Sequence, residues 1–519
     1  MFAIHFHTTP PVCSEKSGQL PSKADAWTSS ARSQPAAMKR SRPARVLLFS
    51  AAVIVYHAMS SRVTVVSQLL SRTSSRDVGY SPDVCRFNLS VYVYDDLPAE
   101  FTSEIEQHWT NETTREILAK SGQWDDSNTE YQIAQLFRST PCRTDHPEEA
   151  NLFVVPYLHQ SDCMISAHFH GGYGPGCPQV PTAKMRRLFG WLNEQPSYNS
   201  DKRRWRLWAS IRSQHVFLTM YHELMLRPEI QDLPLRIMST PQHPSTRPGH
   251  VVVPLLNEAP SHRPSYIMNL SDSWWTRPRK YSLAFVYGRM NRNMGLRQPR
   301  RYRRYFHNSL LNREKDLKSQ GKNATIGGLP YFVSFGTFNR TESGLPDVMS
   351  VYEDSIFCPI LPGDMPHARR IFDAMAHGCL PVFMSWPTAG TTGDGENGTS
   401  WYIPFSVEAK YNYPFFSDLY AGDPFYIEKE NAIDYASFAV VTQGNSSEIK
   451  NFLPMIEDMD TLIRLAPDEI RQRQLTLKKN VIPLIYGLGD DAHRYDDAFS
   501  RTMRILEAYV HRVVTGKVV

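Results

Sequence analysis

The chain has 519 residues, too many for one ordinary domain at roughly 100–200 residues each. Hydrophobic residues make up 41% and charged residues 21%, which supplies real cores and excludes a mainly disordered chain. The formal net charge of +5 sits wholly in residues 1–45, so the remainder is balanced and has no basic excess with which to grip nucleic acid.

Residues 1–45 are rich in Ser, Pro, Ala and Thr without an apolar period, and read as a disordered cytoplasmic tail. The basic cluster KRSRPAR at 39–45 abuts an apolar run of 14 residues, Val46–Met59. A spanning helix needs about 20 residues. Extension to Leu70 reaches that length and takes in Arg62, whose long stem can snorkel. The cationic flank predicts a cytoplasmic N-terminus and a lumenal remainder. Two readings stay open. One is a signal-anchor over 46–70 with a stem at 71–87, giving a single-pass type II protein of the secretory pathway, expected in the Golgi membrane. The other is a cleaved signal peptide starting at Met38, giving a secreted or endoplasmic-reticulum lumenal protein.

Two features favour the lumen. Asn-x-Ser/Thr acceptor triplets occur at Asn88, Asn111, Asn269, Asn323, Asn339, Asn397 and Asn445, all beyond the apolar run. Six of the seven cysteines also lie beyond it, an even number that permits complete pairing, although buried free thiols are the competing reading. The pairs expected are Cys163–Cys177 across a short loop and Cys358–Cys379, with Cys85–Cys142 left over. No Cys/His spacing suggests zinc.

Short apolar runs then recur along the chain. Strands are expected at 88–94 (NLSVYVY), 151–156 (NLFVVP), 214–219 (QHVFLT), 250–254 (HVVVP), 281–287 (YSLAFVY), 355–360 (SIFCPI), 379–384 (CLPVFM) and 438–441. Helical patterns separate them, as around Glu130–Arg138. Alternating strands and helices mean βαβ units and parallel sheets. A junction is expected at Asn269–Arg279, where Trp274, Trp275 and Pro278 precede a fresh strand. The Asp458-Met-Asp460 triplet falls in a helical stretch and reads as solvated surface.

The segment 355–384 (SIFCPILPGDMPHARRIFDAMAHGCLPVFM) is the most informative. A strand ends at Ile360, Leu361–Asp364 turns, and Pro366 suits a first helical turn. Ala368, Ile371, Phe372 and Met375 form one apolar stripe, with Arg370 and Asp373 on the other side. Gly378 closes the helix before the next strand. A Gly loop opening a helix, an Arg fork and a carboxylate one turn on suit a diphosphate and a ribose; the competing reading is a structural helix with a surface ion pair.

This segment resembles the pattern FCLxPxGDxxSxRLFDAxxxGCxPV of the exostosin-type glycosyltransferases. Other blocks are similar in the same order: SVYVYDDLP at 90–98, EYQIAQLFRSTPCRTDHPEEANLFVVPYL at 130–158, QHVFLTMYHE at 214–223, HVVVP at 250–254, FVYGRMNR at 285–292, IDYASFAV at 433–440 and DDAFSRTMRIL at 496–506. The resemblance implies a GT-B fold, with an acceptor domain at 88–275, a donor domain at 276–490 and a closing helix at 491–519. It implies inverting transfer of a sugar from a nucleotide-sugar donor, UDP-linked, to a glycan or glycoprotein acceptor, without an essential metal or other cofactor. By motif match, Gly288, Arg289, Gly363, Arg370 and Asp373 are expected to hold the donor.

His222 and Glu223, after the strand at 214–219, are the expected base and its orienting group, with Asp95 and Asp96 as runners-up. The sequence departs from the family at Glu223, His367 and Ala368, in the Gly/Thr-rich stretch Thr388–Thr399 and in an insertion at 406–432. Two rival functions stand beside transfer. One is a non-catalytic glycan-binding or scaffold subunit on the same fold. The other is sulfotransfer, suggested by AGTTGDG at 389–395, although this loop trails a strand late in the chain instead of opening a domain. Partners expected are the donor, the acceptor and the membrane through the anchor; homo- or hetero-oligomer formation is left open.

Overall fold

The computed structural model describes residues 80–102, 109, 111–112, 124–159, 161–162, 180–199, 214–218, 235–238, 250–288, 299–336, 347–361, 369–385, 433–443 and 451–514. Two five-stranded sheets organise them, and every strand pairing is parallel. The first sheet holds β1 (Val91–Val93), β2 (Leu152–Val155), β3 (His215–Leu218), β4 (Leu235–Met238) and β5 (His250–Val252), side by side in chain order. β2 and β3 are buried at every position, as runs of Val, Leu and Phe require when both faces of a sheet are covered.

The second sheet holds β6 (Tyr281–Gly288), β7 (Phe332–Gly336), β8 (Ser355–Pro359), β9 (Leu380–Ser385) and β10 (Val440–Gln443), in the order β10-β9-β8-β6-β7. The chain leaves β6 for β7 on one side and then crosses to β8 on the other. The sheet therefore reverses direction between β6 and β8, and such a reversal leaves a crevice at the carboxyl ends of the strands. Alternation along β6 serves two layers. Leu283, Phe285 and Tyr287 join the main core, while Ala284 and Val286 face a smaller cluster with Cys358, Ala374 and Cys379.

Two strands differ from expectation. β4 carries Arg236 in the middle of its run, and β7 is an edge strand whose residues 332–334 are only half-buried. Neither gives the unbroken apolar signal of a central parallel strand. All the other strands coincide with the predicted runs to within a few residues.

Five helices matter below: α1 (Trp124–Ser139), α2 (Pro299–Ser319), α3 (Arg370–Ala376), α4 (Leu453–Leu465) and α5 (Ala498–Val514). α1 buries Ile133, Leu136 and Phe137, the stripe visible in the sequence. α5 returns to the first sheet's side of the core. Phe499 meets Phe137 edge-on at 5.0 Å, Arg86 donates to Ser500 Oγ at 2.7 Å, and Ser139 Oγ lies 2.9 Å from His493 Nε2. The Cys85–Cys142 disulfide fastens the same corner, and Cys358–Cys379 joins β8 to the entry of β9. Both were expected; the third expected pair, Cys163–Cys177, lies outside the described residues. Both sheets belong to one compact unit, Asp77–Val519.

Among the described residues no helix is long and apolar enough to cross a membrane, and the expected anchor at 46–70 lies outside them. The acceptor asparagines Asn88, Asn111, Asn269 and Asn323 are exposed. Asn339, Asn397 and Asn445, like the insertion at 406–432 and the Gly/Thr-rich stretch, are outside the described residues.

Candidate functional site

The crevice between β6 and β8 is built around Tyr287. Its hydroxyl donates to the Pro359 carbonyl at 2.7 Å and accepts from the Leu361 N–H at 2.9 Å, tying the end of β6 to the segment that leaves β8. The Arg370 guanidinium, at the start of α3, lies 4.2 Å from the centre of the Tyr287 ring, and its Nη1 is 3.5 Å from the Val286 carbonyl. Arg303 of α2 approaches the same ring at 4.6 Å. Two guanidinium groups thus gather where β6 ends at Gly288. A guanidinium already laid on an aromatic face has lost part of its rotamer freedom, so binding an anion with it costs less entropy.

Behind Arg370 sits a buried polar cluster. Asp373 is 4% exposed. Its Oδ1 accepts from Asn257 Nδ2 at 2.6 Å and lies 3.1 Å from His262 Nε2; its Oδ2 accepts from Arg369 Nε at 3.3 Å. Burial alone would push this carboxyl up, but the His262 hydrogen bond, the Arg369 charge and the Asn257 amide together hold it at about 2. His377 donates from Nδ1 to the Asp373 carbonyl at 2.8 Å. Burial, and then the nearby His262, hold His377 below the usual imidazole range.

These contacts correct one sequence expectation. Asp373 does not share an outer face with Arg370. It points inward, and Arg369 is its partner four residues back. The reason is tertiary: Asn257 and His262 follow β5, more than a hundred residues earlier, and offer the buried carboxylate its donors.

The far end of α3 is fixed as well. Gly378 has φ +73°, a conformation that favours glycine, and a Cβ there would also press on Arg279 Nη2 at 2.7 Å. Arg279 is buried and donates to the carbonyls of Trp275, at 2.9 Å, and Glu353. Trp275 is fully buried, which makes the junction after residue 269 a packed elbow.

Of the predicted site residues, the structure brings Arg370 to the end of β6 beside Gly288, while Asp373 is buried behind them. His222, Glu223, Arg289 and Gly363 lie outside the described residues. Asp95 is paired with Arg138 at 2.9 Å and Arg143 at 3.0 Å. Asp460 departs from the solvated-surface reading: it accepts from the Gly327 N–H at 2.8 Å and pairs with Arg313 and Arg464, pinning α4 to a turn. Among the described residues no group of three or more His, Cys, Asp or Glu could hold a metal ion. Sequence reasoning missed Tyr287, Arg369, Asn257 and His262. Tyr287 adjoins the predicted Gly288, whereas nothing in the local pattern marks Asn257 or His262.

The Exostosin GT47 domain matches residues 86–455. The chain belongs to the exostosin GT47 family. Its GT47 region is similar to two probable xyloglucan galactosyltransferases of Arabidopsis thaliana. The first is 26% identical over 311 residues, covering 56% of this chain and 52% of that protein. The second is 24% identical over 318 residues, covering 57% and 58%. It is also similar to a xyloglucan-specific galacturonosyltransferase of the same plant, 23% identical over 323 residues and covering 56% and 43%. The chain spans about half the length of the curated relatives it matches. The GT47 match takes in the crevice, the Asp373 cluster and both sheets.

Proposed function

We propose that this chain is an inverting glycosyltransferase of GT-B architecture that moves a hexosyl or hexuronosyl group from a UDP-sugar to a glycan acceptor. The observation that carries the reading is the placement of Arg370 over Tyr287 at the strand reversal, inside the stretch matched by the GT47 domain. In this reaction an acceptor hydroxyl oxygen bonds to the anomeric carbon as the bond from that carbon to the diphosphate breaks. The hydroxyl proton passes to a base, for which His222 assisted by Glu223 is the candidate, and the bonding pair leaves with the diphosphate. Arg370, with Arg289 of the FVYGRMNR block as the second candidate, neutralises the charge that grows on the leaving group. Asp373 is too enclosed to reach a ribose; it sets the pose of α3 instead. No metal ion is needed in this scheme.

Two disulfides support an oxidising compartment. With the basic flank and the apolar run at 46–70, they favour a lumenal enzyme held at the Golgi membrane. The names of the relatives favour a galactosyl or galacturonosyl donor and a xyloglucan-like acceptor. The test is to incubate full-length protein with a panel of UDP-sugars and xyloglucan oligosaccharides and to follow the products by mass spectrometry, with and without a chelator. Transfer that survives the chelator and is lost in Arg370→Ala supports the reading. Absence of transfer from every UDP-sugar contradicts it.

A further inference from the structure

Away from Arg370, the segment after β5 and the segment returning toward α5 line a half-open pocket of about 280 Å³. The outgoing segment after β5 contributes Asn257, Glu258 and Arg263. The segment returning toward α5 contributes Tyr486 and Leu488, and α1 contributes Gln132. We infer that this cavity is an acceptor subsite that takes one neutral, polyhydroxylated sugar ring of the glycan. The inference rests on the proposed transfer reaction and assigns the place where its second substrate binds.

The charge of the lining selects the class of ligand. Glu258 and Arg263 carry opposite signs, and Gln132 and Asn257 are neutral amides, so these groups have no net charge with which to draw in an anion or a cation. The Asn257 amide is committed to Ala259 and Asp373, while Gln132, Glu258 and Arg263 end in planar groups with two or more polar atoms in one plane. That geometry matches adjacent hydroxyls on a sugar ring, which donate and accept in pairs. Partly exposed Leu488 adds apolar surface for the C–H face of the ring, and buried Tyr486 backs the cavity floor. The volume falls just below the roughly 300–1,000 Å³ usual for ligand pockets, which suits no more than a single ring.

The lining is also held in place before any ligand arrives. Gln132 Nε2 donates to Glu258 Oε1 at 2.9 Å. The Ala259 N–H donates to Asn257 Oδ1 at 2.9 Å, and Asn257 Nδ2 donates to Asp373. Tyr486 Oη donates to the Pro254 carbonyl at 3.1 Å, which fixes the ring. Groups ordered in advance lose little freedom on binding. Asn257 matters most for location: it lines the cavity and also hydrogen-bonds the helix that carries Arg370. A ring bound here adjoins the donor side of the molecule.

The test uses full-length protein with four probes: a xyloglucan heptasaccharide, cellohexaose and xylohexaose as neutral glycans, and a heparin hexasaccharide as an anionic one. Binding is read by calorimetry and saturation-transfer NMR, and UDP affinity is measured in parallel. At least one neutral probe should bind. Glu258→Ala, and Leu488→Trp, which fills the cavity, should each weaken it about ten-fold or more, equivalent to about 1.4 kcal/mol. Arg263 is exposed, so Arg263→Ala leaves the fold intact and should still weaken binding, while UDP affinity stays unchanged in all three. The subsite is overturned if no neutral probe binds, if only the heparin probe binds, or if Arg263→Ala and Leu488→Trp both leave binding unaltered. The transfer reading fails separately: a protein that binds a neutral probe in this cavity but transfers from no UDP-sugar keeps the subsite and loses the reaction.

Discussion

The two sheets share a strand number and a direction but differ in strand order, and the order decides what each can offer a ligand. In the first, the strands lie side by side in chain order, so the sheet never reverses and opens no crevice of its own. In the second, the reversal between β6 and β8 parts the connecting segments, and Tyr287 and Arg370 meet in the gap. The first sheet contributes from its rim instead, through the segment after β5 that carries Asn257, Glu258 and His262. The proposed nucleotide site therefore needs only one sheet, whereas the proposed acceptor subsite draws on the segment after β5 and the segment returning toward α5.

Two buried aspartates sharpen the contrast. Asp373 faces an amide, an imidazole and a guanidinium, and sits at about 2. Asp497, at the return toward α5, is buried as deeply and accepts from the Gly487 and Ser500 N–H groups, at 2.7 and 2.8 Å. Burial dominates there and pushes Asp497 up to about 6. The same side chain is a charged anchor in one region and a carboxyl that resists ionisation in the other.

The largest effect is expected at Asp373. Removing one member of a buried charged cluster costs about 3–5 kcal/mol, so Asp373→Ala should lower the denaturant midpoint at least as much as opening the Cys358–Cys379 loop and more than the Asp497→Asn change. An Asp373→Ala protein that unfolds like the wild type would show that this carboxylate does not set the pose of α3. The disulfides come next and compare the two regions directly. Closing 57 residues through Cys85–Cys142 should contribute about 4 kcal/mol and closing 21 through Cys358–Cys379 about 3 kcal/mol, on the chain-entropy model. Paired Cys→Ser variants, followed by urea unfolding, should preserve that ranking.

A smaller effect concerns pH. Asp497 has a folded value of about 6, above its unfolded value near 4, so its contribution is present below about pH 4 and lost as the pH rises through about 6. The shift corresponds to about 2–3 kcal/mol, and Asp497→Asn should remove that much of the difference in stability between pH 4 and pH 7. Asp373 behaves oppositely. Its contribution is present above about pH 4 and lost as the pH falls through about 2.

Legibility in the sequence followed the same division. Of the 355–384 unit, the two strands, the helix that closes at Gly378 and the Cys358–Cys379 pair could be read because they are local features. The expected turn and first helical turn at 362–368 lie outside the described residues. The inward turn of Asp373 could not be read. Its partner Asn257 is 116 residues away in sequence, and no spacing rule joins an Asn after one strand to an Asp in a distant helix. β7 escaped for a different reason: an edge strand is half-solvated, and its pattern lacks the continuous apolar run that marked β2, β3 and β8.

The central claim is that the donor diphosphate binds in the crevice of the second sheet, on Arg370. The most direct measurement compares neighbours: UDP affinity by calorimetry in Arg370→Ala and Arg369→Ala. Arg370 faces the crevice over Tyr287, whereas Arg369 is spent on Asp373. Arg370→Ala should lose about 2–4 kcal/mol of binding, on the order of 30- to 1,000-fold, while Arg369→Ala should keep its affinity for UDP and lose about 1–3 kcal/mol of stability instead. Equal losses of UDP affinity in the two folded variants, or no loss in either, would contradict the placement of the donor.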